Sequence, residues 1–297
     1  MNSKISEKIF SQQDQERLKS HQKCDYPEES SYKPKQKITK YKKKVYSAPT
    51  TINLEMTEAC NVKCKHCYNP WREEHAGKFN LDNKKIDYLL NEFVKNKVFH
   101  VILSGGEPLA KFDELCYALE KLVKNNISVS LNSNLMLATP EKMSKLRGIG
   151  LDHALVSWFS YFPNETDFIT AYKGSYQKIV DGIKNTVKAG IRVSANTIVT
   201  QHNKDTIYKS GKFLHSLGVT QFFAHRVIPP AYDRKDKKNQ HYVTIQQAKE
   251  SLDELLRLKK DYGMKVGTLI NYPLCLLGDL EKYQDFVGRG CPTQQGH

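Results

Sequence analysis

The sequence lacks any long hydrophobic run. No apolar stretch approaches the roughly 18 residues that a membrane span needs, and no hydrophobic signal peptide opens the chain. We therefore expect a cytoplasmic protein with no membrane partner. Its 297 residues are enough for one large domain, or for one domain with an appendage.

The sequence also lacks an even set of cysteines. Its seven cysteines cannot all be paired, and a chain of this length does not need disulfides to hold its core together. In a reducing compartment, clustered thiols more often bind metal or carry out redox chemistry. The composition therefore favours a metal or redox site over a disulfide framework.

Acidic residues are few relative to basic ones. The chain has 46 Lys and Arg against 32 Asp and Glu, a formal net charge of +14. Such a charge attracts nucleic acid, an acidic peptide or a charged small molecule, but it also fits an ordinary solvated surface. Residues 1–47 include the aliphatic-poor stretch "SYKPKQKITKYKKK" and predict a flexible basic arm. This arm is either a solvated tail or an electrostatic hook for a substrate.

Strand and helix patterns alternate beyond this arm. The alternation predicts an α/β protein with a parallel sheet and helices outside it. Six strand–helix units are too few to close an eight-stranded barrel, so we expect a partial (β/α)6 TIM-like barrel over residues 48–235. Its chemistry should lie at the carboxyl ends of the strands. Residues 236–297 should form a C-terminal helix and a short extension. The predicted strands are 51–56, 99–104, 127–131, 153–158, 191–199 and 221–228.

Three cysteines follow the first predicted strand in the stretch "CNVKCKHC". They are Cys60, Cys64 and Cys67, and no fourth cysteine lies within twenty residues on either side. A structural zinc site needs four ligands, which His66 or His75 could complete. A [4Fe–4S] cluster is the alternative, because thiolates can hold three of its irons and leave the fourth open for a ligand.

The Cys-x3-Cys-x2-Cys spacing, with the aromatic His66 before the last cysteine, resembles the signature of the radical S-adenosylmethionine (SAM) superfamily. The resemblance implies that the open iron chelates the amino and carboxylate groups of SAM. An electron, from a flavodoxin- or ferredoxin-type donor, then cleaves the sulfonium. The resulting 5′-deoxyadenosyl radical abstracts hydrogen from an unreactive C–H bond, while the protein holds the cofactor and excludes water.

The second predicted strand ends in "SGGEP", which matches a further motif of this superfamily. Gly105 and Gly106 permit close approach of the backbone to a ligand, because no Cβ intervenes. Glu107 follows as an acceptor, and Pro108 stiffens the turn. The resemblance implies that this segment binds the methionine amino group of SAM. A plain strand-to-helix turn is the alternative.

Polar residues also occupy the later strand ends. Strand three ends in "NSNL", where Ser133 and Asn134 take the first two places of the superfamily's usual Thr-Asn-Gly and Leu135 replaces the glycine. Ser157 and Asn196 align with polar positions near SAM in related proteins, although "FSYF" replaces the usual Asp-Gly that follows the serine. The resemblance implies SAM contacts for these polar residues. Ordinary turn and core roles fit them equally well.

Two cysteines lie near the end of the sequence. Cys275 and Cys291 resemble the opening of the SPASM or twitch extension of radical SAM maturases, which carries an auxiliary [4Fe–4S] cluster. A full extension contains more cysteines, so the chain is truncated at His297, takes ligands from elsewhere, or has a vestigial extension. Buried cysteines without metal are the alternative, and Cys116 on the apolar face of a helix is assigned to the core.

The resemblance implies a radical SAM enzyme that modifies a peptide or protein, with an acidic substrate suited to the positive charge. One alternative is a radical SAM enzyme acting on RNA or a nucleotide, which the charge favours. No recognised RNA-binding module is present to support it. The other alternative, a non-catalytic iron–sulfur or zinc protein, leaves the GGEP turn unexplained. No catalytic acid or base can be named.

Overall fold

A computed structural model describes residues 48–67, 79–227, 241–270, 272 and 274–287. The chain divides into a unit of Met1–Lys43 and a unit of Lys44–His297, and every element below belongs to the second unit. The predicted basic arm, residues 1–47, lies outside the described residues, as does His75.

In the described part of the chain, seven strands form one open parallel sheet in which hydrogen-bonded neighbours follow the order of the chain. The predicted partial barrel of the α/β class is thereby confirmed. The strands are β1 Thr51–Glu55, β2 His100–Ser104, β3 Ser128–Ser133, β4 His153–Trp158, β5 Arg192–Val199, β6 Gln221–Arg226 and β7 Lys265–Gly267.

The seventh strand was not predicted, because its three residues are too few to show a period. It pairs with β6 through Gln221 and Lys265, and so it extends the sheet past residue 235, the predicted end of the barrel.

Helices connect the strands and cover the outside of the sheet. Side-chain caps fix several of their starts: Asp82 accepts from the Lys85 N–H at 2.9 Å, and Thr244 with Gln247 forms a capping box. The helices are α1 Asn83–Lys95, α2 Phe112–Lys124, α3 Pro140–Ile149, α4 Pro163–Thr170, α5 Ser175–Lys188, α6 Ile207–Ser216, α7 Ile245–Tyr262 and α8 Leu274–Leu277.

Alternate residues of each strand point to opposite faces of the sheet. One set is apolar and packs in the core, which also contains Cys116 as predicted. The other set includes the polar Asn132, Ser157 and Asn196, which face the interior of the partial barrel at the carboxyl ends of the strands. Core-facing strand residues include Val101, Leu103, Val129, Leu131, Ala154, Val156, Val193, Ala195 and Phe222.

Across the described ranges, no helix combines the length and the hydropathy of a membrane span.

Candidate functional site

A cavity of about 240 Å³ opens at the carboxyl ends of the strands. It brings together residues that the sequence separates by more than a hundred positions. The predicted site residues that line it are Cys60, Cys64, His66, Cys67, Gly105, Gly106, Ser133, Asn134, Ser157 and Asn196. Ser104, Asn132, Trp158, Phe159 and Leu269 also line it and were not predicted.

The cysteine loop begins directly after β1 and rests on the end of α4. The N–H of Lys63 donates to the carbonyl of Thr170 at 3.0 Å, and the N–H of Lys65 donates to the carbonyl of Ile169 at 2.9 Å. A turn closes the loop, because the N–H of Cys67 donates to the carbonyl of Cys64 at 3.1 Å. These bonds hold the three half-buried cysteines in the cavity wall.

The donor set fits an iron–sulfur cluster. Three thiol side chains line one cavity, and thiolates are the ligands that such clusters take. Within the described part of the chain, no three His, Cys, Asp or Glu side chains converge as ligands of a single metal ion do. A cubane requires no such convergence, since each thiolate binds a separate iron. Cys60, Cys64 and Cys67 would therefore hold the cluster.

The glycines of the β2 turn are required by the cysteine loop. A Cβ on Gly106 would lie 2.2 Å from the carbonyl oxygen of Ala59, and one on Gly105 would lie 2.6 Å from that of Thr57. Gly105 also has a φ of +140°, which L side chains rarely adopt. The missing side chains make room for the main chain of residues 57–59. Both glycines also line the cavity, and their predicted role in letting a ligand approach stays a prediction. The turn and the loop are also bonded, from the N–H of Gly106 to Thr57 at 2.6 Å.

Glu107 lies beneath the cavity and has no exposed surface. Its carboxylate accepts hydrogen bonds from the Ser133 hydroxyl at 2.7 Å, the Asn134 N–H at 2.9 Å and the Leu109 N–H at 3.0 Å. Burial raises the pKa of Glu107, although these hydrogen bonds oppose the shift. Pro108 is also buried and begins a 3-10 turn. Neither residue lines the cavity, and their predicted contact with SAM stays a prediction.

Leu135 adopts the left-handed conformation at the end of β3, with a φ of 57°. This conformation favours glycine, and a leucine adopts it only at a cost in free energy. The side chain is fully buried in the core, and its N–H donates to the Ser133 hydroxyl at 2.9 Å. Burial and this bond offset the strain, and the turn presents Ser133 and Asn134 to the cavity.

One polar atom of a cavity-lining side chain, Oδ1 of Asn196, is buried and has no hydrogen-bond partner in the described part of the chain. An unpaired buried polar atom costs about 1–3 kcal/mol, which a ligand with a matching group recovers. The contact between Asn196 and SAM stays a prediction. Nε1 of Trp158 is also buried without a partner there, but the Trp158 ring packs against Tyr176 of α5 and Phe213 of α6.

Histidines gather beside the cavity, although their spacing in the sequence gave no signal. The rings of His202 and His241 lie 5.3 Å apart, and His225 and His241 both act electrostatically on His66. Burial, followed by these two histidines, lowers the pKa of His66 to about 4. Burial also lowers the pKa of His225 to about 4. Both rings are therefore neutral at pH 7.

In a comparison with models of protein families, the model described as "Radical SAM superfamily" matches residues 54–214 of the sequence. The chain belongs to the radical SAM superfamily. Radical SAM proteins use a [4Fe–4S] cluster and SAM, and these are the cofactors that fit the three thiols and the cavity beside them.

Curated relatives are similar over the same region. The PqqA peptide cyclase of Bradyrhizobium diazoefficiens is 29% identical over 162 residues, 53% of this chain and 41% of that protein. A probable GTP 3′,8-cyclase of Methanocella arvoryzae is 30% identical over 48% of this chain and 45% of that protein. An AdoMet-dependent heme synthase of Methanosarcina barkeri is 28% identical over 62% of this chain and 52% of that protein. The chain thus spans about half the length of the curated relatives it matches.

Solved structures share the fold. SuiB of Streptococcus suis, bound to S-adenosylmethionine, superposes with a TM-score of 0.65 at 14% identity, over 82% of this chain and 55% of SuiB. The structure of anSMEcpe with bound AdoMet gives a TM-score of 0.62 at 15% identity, over 73% of this chain and 63% of anSMEcpe.

The predicted auxiliary site is described only in part. Cys275 is exposed in the short helix α8 and does not line the cavity. Cys291 lies outside the described residues, so the proposed second cluster stays a prediction.

Proposed function

We propose that this radical SAM enzyme reductively cleaves SAM and abstracts a hydrogen atom from a peptide or protein substrate. The observation that carries the proposal is the single cavity in which three thiols face the β2 and β3 turns. When bound there, the cluster and SAM supply a 5′-deoxyadenosyl radical, which is able to attack an unreactive C–H bond.

The residues of this chain would bind and shield these groups. The polar atoms of Ser133, Asn134, Ser157 and Asn196 would contact SAM from the strand ends. The apolar side chains of Val62, Leu155, Phe159 and Ile198 line the same cavity and would keep water from it. Excluding water protects a reactive intermediate from side reactions.

A peptide substrate is supported by the relatives. Several of them are PqqA peptide cyclases, and two of the structures that share the fold contain peptides, SuiB with its precursor peptide SuiA and anSMEcpe with the Kp18Cys peptide. The net charge of +14 suits an acidic segment of such a substrate. A flavodoxin- or ferredoxin-type protein would supply the electron, and the reaction would take place in the cytoplasm.

The source of the abstracted hydrogen tests this proposal. The reconstituted protein is incubated with SAM, dithionite and the small-peptide fraction of cells grown in deuterated medium, with Cys64→Ala as the control. We expect deuterium in the 5′-deoxyadenosine that is released, and no deuterium after the fraction is treated with protease. Enrichment that survives the protease would contradict a peptide substrate.

A nucleotide substrate is the second candidate, favoured by the relative named as a probable GTP 3′,8-cyclase and by the positive charge. It predicts the opposite pattern in the same experiment. Deuterium transfer would then survive the protease and be lost after nuclease and phosphatase treatment.

A further inference from the structure

We propose that Glu107 is a positioning residue that does not touch SAM, and that it acts with the Asn61–Asn134 pair to fix the cysteine loop against the β2 and β3 turns. This differs from the role that the superfamily resemblance implied for the carboxylate. The inference rests on the same cavity as the proposed function, but it concerns the protein before SAM or substrate binds.

The carboxylate of Glu107 is fully engaged. Its Oε1 accepts from the Ser133 hydroxyl and the Leu109 N–H, and its Oε2 accepts from the Asn134 N–H, at 2.7, 3.0 and 2.9 Å. The side chain has no exposed surface and is not part of the cavity wall. A ligand in the cavity would have to displace these donors to reach it.

Glu107 is also hydrogen-bonded to both the loop after β1 and the turn after β3. Its own N–H donates to the carbonyl of Ala59 at 2.7 Å, next to the first cysteine of the loop. Its side chain holds the Ser133–Asn134 turn after β3. The loop after β1 and the turn after β3 are therefore both bonded to one buried residue of the turn after β2.

The side chain of Asn134 is in turn hydrogen-bonded to the cysteine loop. Its Oδ1 accepts from the Met136 N–H at 2.9 Å, which sets the direction of the amide. Its Nδ2 then donates to Oδ1 of Asn61 at 2.8 Å. The same oxygen of Asn61 lies 3.8 Å from Sγ of Cys60. The contacts thus run from Glu107 through Asn134 and Asn61 to a cluster ligand.

Two roles of Glu107, positioning the loop or binding SAM, can be distinguished by whether a substitution has its effect without SAM or only with SAM. A positioning carboxylate matters in the protein without SAM, because the loop loses its support. A carboxylate that binds SAM matters only after SAM is added. Glu107→Gln keeps the shape of the side chain but turns one acceptor oxygen into an N–H₂ group, which cannot accept from the donors at that position.

The first measurement is amide hydrogen exchange of residues 57–67 in the protein without its cluster. We expect Glu107→Gln and Asn61→Ala to accelerate exchange in this segment. Asn132→Ala is the matched control, because Asn132 lines the same cavity but is outside the network, and it should leave exchange in the segment unchanged. This readout needs neither a cluster nor turnover.

The second measurement is the rate at which a chelator removes iron from the reconstituted protein without SAM. We expect Glu107→Gln, Asn61→Ala and Asn134→Ala each to lose iron about tenfold faster than wild type, as for other residues that support metal ligands. The double variant of Glu107 and Asn61 should lose iron no faster than the faster single variant, since both changes break one network.

The opposite pattern would overturn the inference. If Glu107→Gln keeps the wild-type rates of amide hydrogen exchange and iron loss but binds SAM more weakly, Glu107 binds SAM directly. If Glu107→Gln does not fold, wild-type behaviour of both Asn61→Ala and Asn134→Ala overturns it. Failure of the proposed function is distinguishable, because it appears as a loaded wild-type protein that does not cleave SAM.

Discussion

Gly182 of α5 lies against the main chain of Leu135, so closely that a Cβ on the glycine would stand 2.0 Å from the leucine carbonyl oxygen. This contact sets the depth at which α5 packs on the turn after β3. It also supports the left-handed conformation of Leu135, and with it the direction of Ser133 and Asn134. A helix glycine 47 positions away from the turn therefore helps to shape the cavity.

Gly182→Ala should consequently destabilise the protein. A methyl group that meets a backbone carbonyl forces α5 or the turn to move, with a cost of about 1–3 kcal/mol in the free energy of unfolding. Urea unfolding followed by circular dichroism measures this cost. Gly148→Ala in α3 is the matched control, because a Cβ there meets nothing within 4 Å, and alanine should leave stability unchanged or raise it by about 0.5–1 kcal/mol. Equal effects of the two substitutions would contradict the role of the contact.

Gly106→Ala should prevent cluster assembly. Its Cβ would collide with the carbonyl oxygen of Ala59 at 2.2 Å and push the cysteine loop away from the β2 turn. Iron and sulfide content after anaerobic reconstitution tests this, with Gly174→Ala as a comparison at an open position of positive φ. We expect the first variant to hold little iron and the second to hold the wild-type amount, even if its backbone strain lowers stability. A full cluster in Gly106→Ala would show that the loop does not need this close approach.

The buried histidines predict a loss of stability in acid. Burial lowers the folded-state pKa of His225 from 6.5 to about 4, so the unfolded chain binds more protons between these values. The contribution is fully present above pH 6.5 and is lost as the pH falls towards 4. Because a pKa difference of one corresponds to about 1.4 kcal/mol, the full effect is at most about 3.5 kcal/mol, and solvent contact of this half-buried ring reduces it. Glu107 acts in the opposite sense, since its raised pKa favours the folded state at low pH.

His225→Gln should therefore reduce the slope of stability against pH between 6.5 and 4. His66 has a similarly lowered pKa and would keep part of the slope. Urea midpoints measured across this range, with His215→Gln on the outside of the sheet as the control, give the comparison. An unchanged slope in His225→Gln would contradict the assignment of this imidazole as neutral.

Iron counting tests the predicted auxiliary site. A second cluster held by Cys275 and Cys291 requires about eight irons per chain in the wild type and about four in Cys275→Ala. A content of about four in both proteins would assign all of the iron to Cys60, Cys64 and Cys67. It would leave the two C-terminal cysteines without a metal role.

The sequence was sufficient for most of the fold. β1 to β6 lie within one or two residues of their predicted bounds, because each carries a regular apolar pattern between turn residues. β7 was missed because its three residues show no period. The eight residues of α4 carry few apolar side chains, so the sequence shows no helical period there. Yet α4 holds the cysteine loop through Thr170 and Ile169.

The site was predictable where a local motif exists, and unpredictable where contacts are long-range. The cysteine trio and the glycine turn are contiguous signals, and the structure brings them into one cavity. The burial of Glu107 depends on Ser133 and Asn134, which lie 26 and 27 positions away. His202, His225 and His241 have no ligand spacing. The positions of β6 and of the loop before α7 bring His225 and His241 near His66, and His202 packs against His241.

The release of 5′-deoxyadenosine shows whether Cys60, Cys64 and Cys67 hold a cluster that cleaves SAM. Anaerobically reconstituted protein is reduced with dithionite in the presence of SAM, next to Cys64→Ala and to Cys116→Ala, which removes a core cysteine away from the cavity. We expect a brown protein with about four or more irons that releases 5′-deoxyadenosine. We expect no release from Cys64→Ala, and release from Cys116→Ala. A colourless protein that holds zinc and leaves SAM intact, or SAM cleavage that persists in Cys64→Ala, would contradict it.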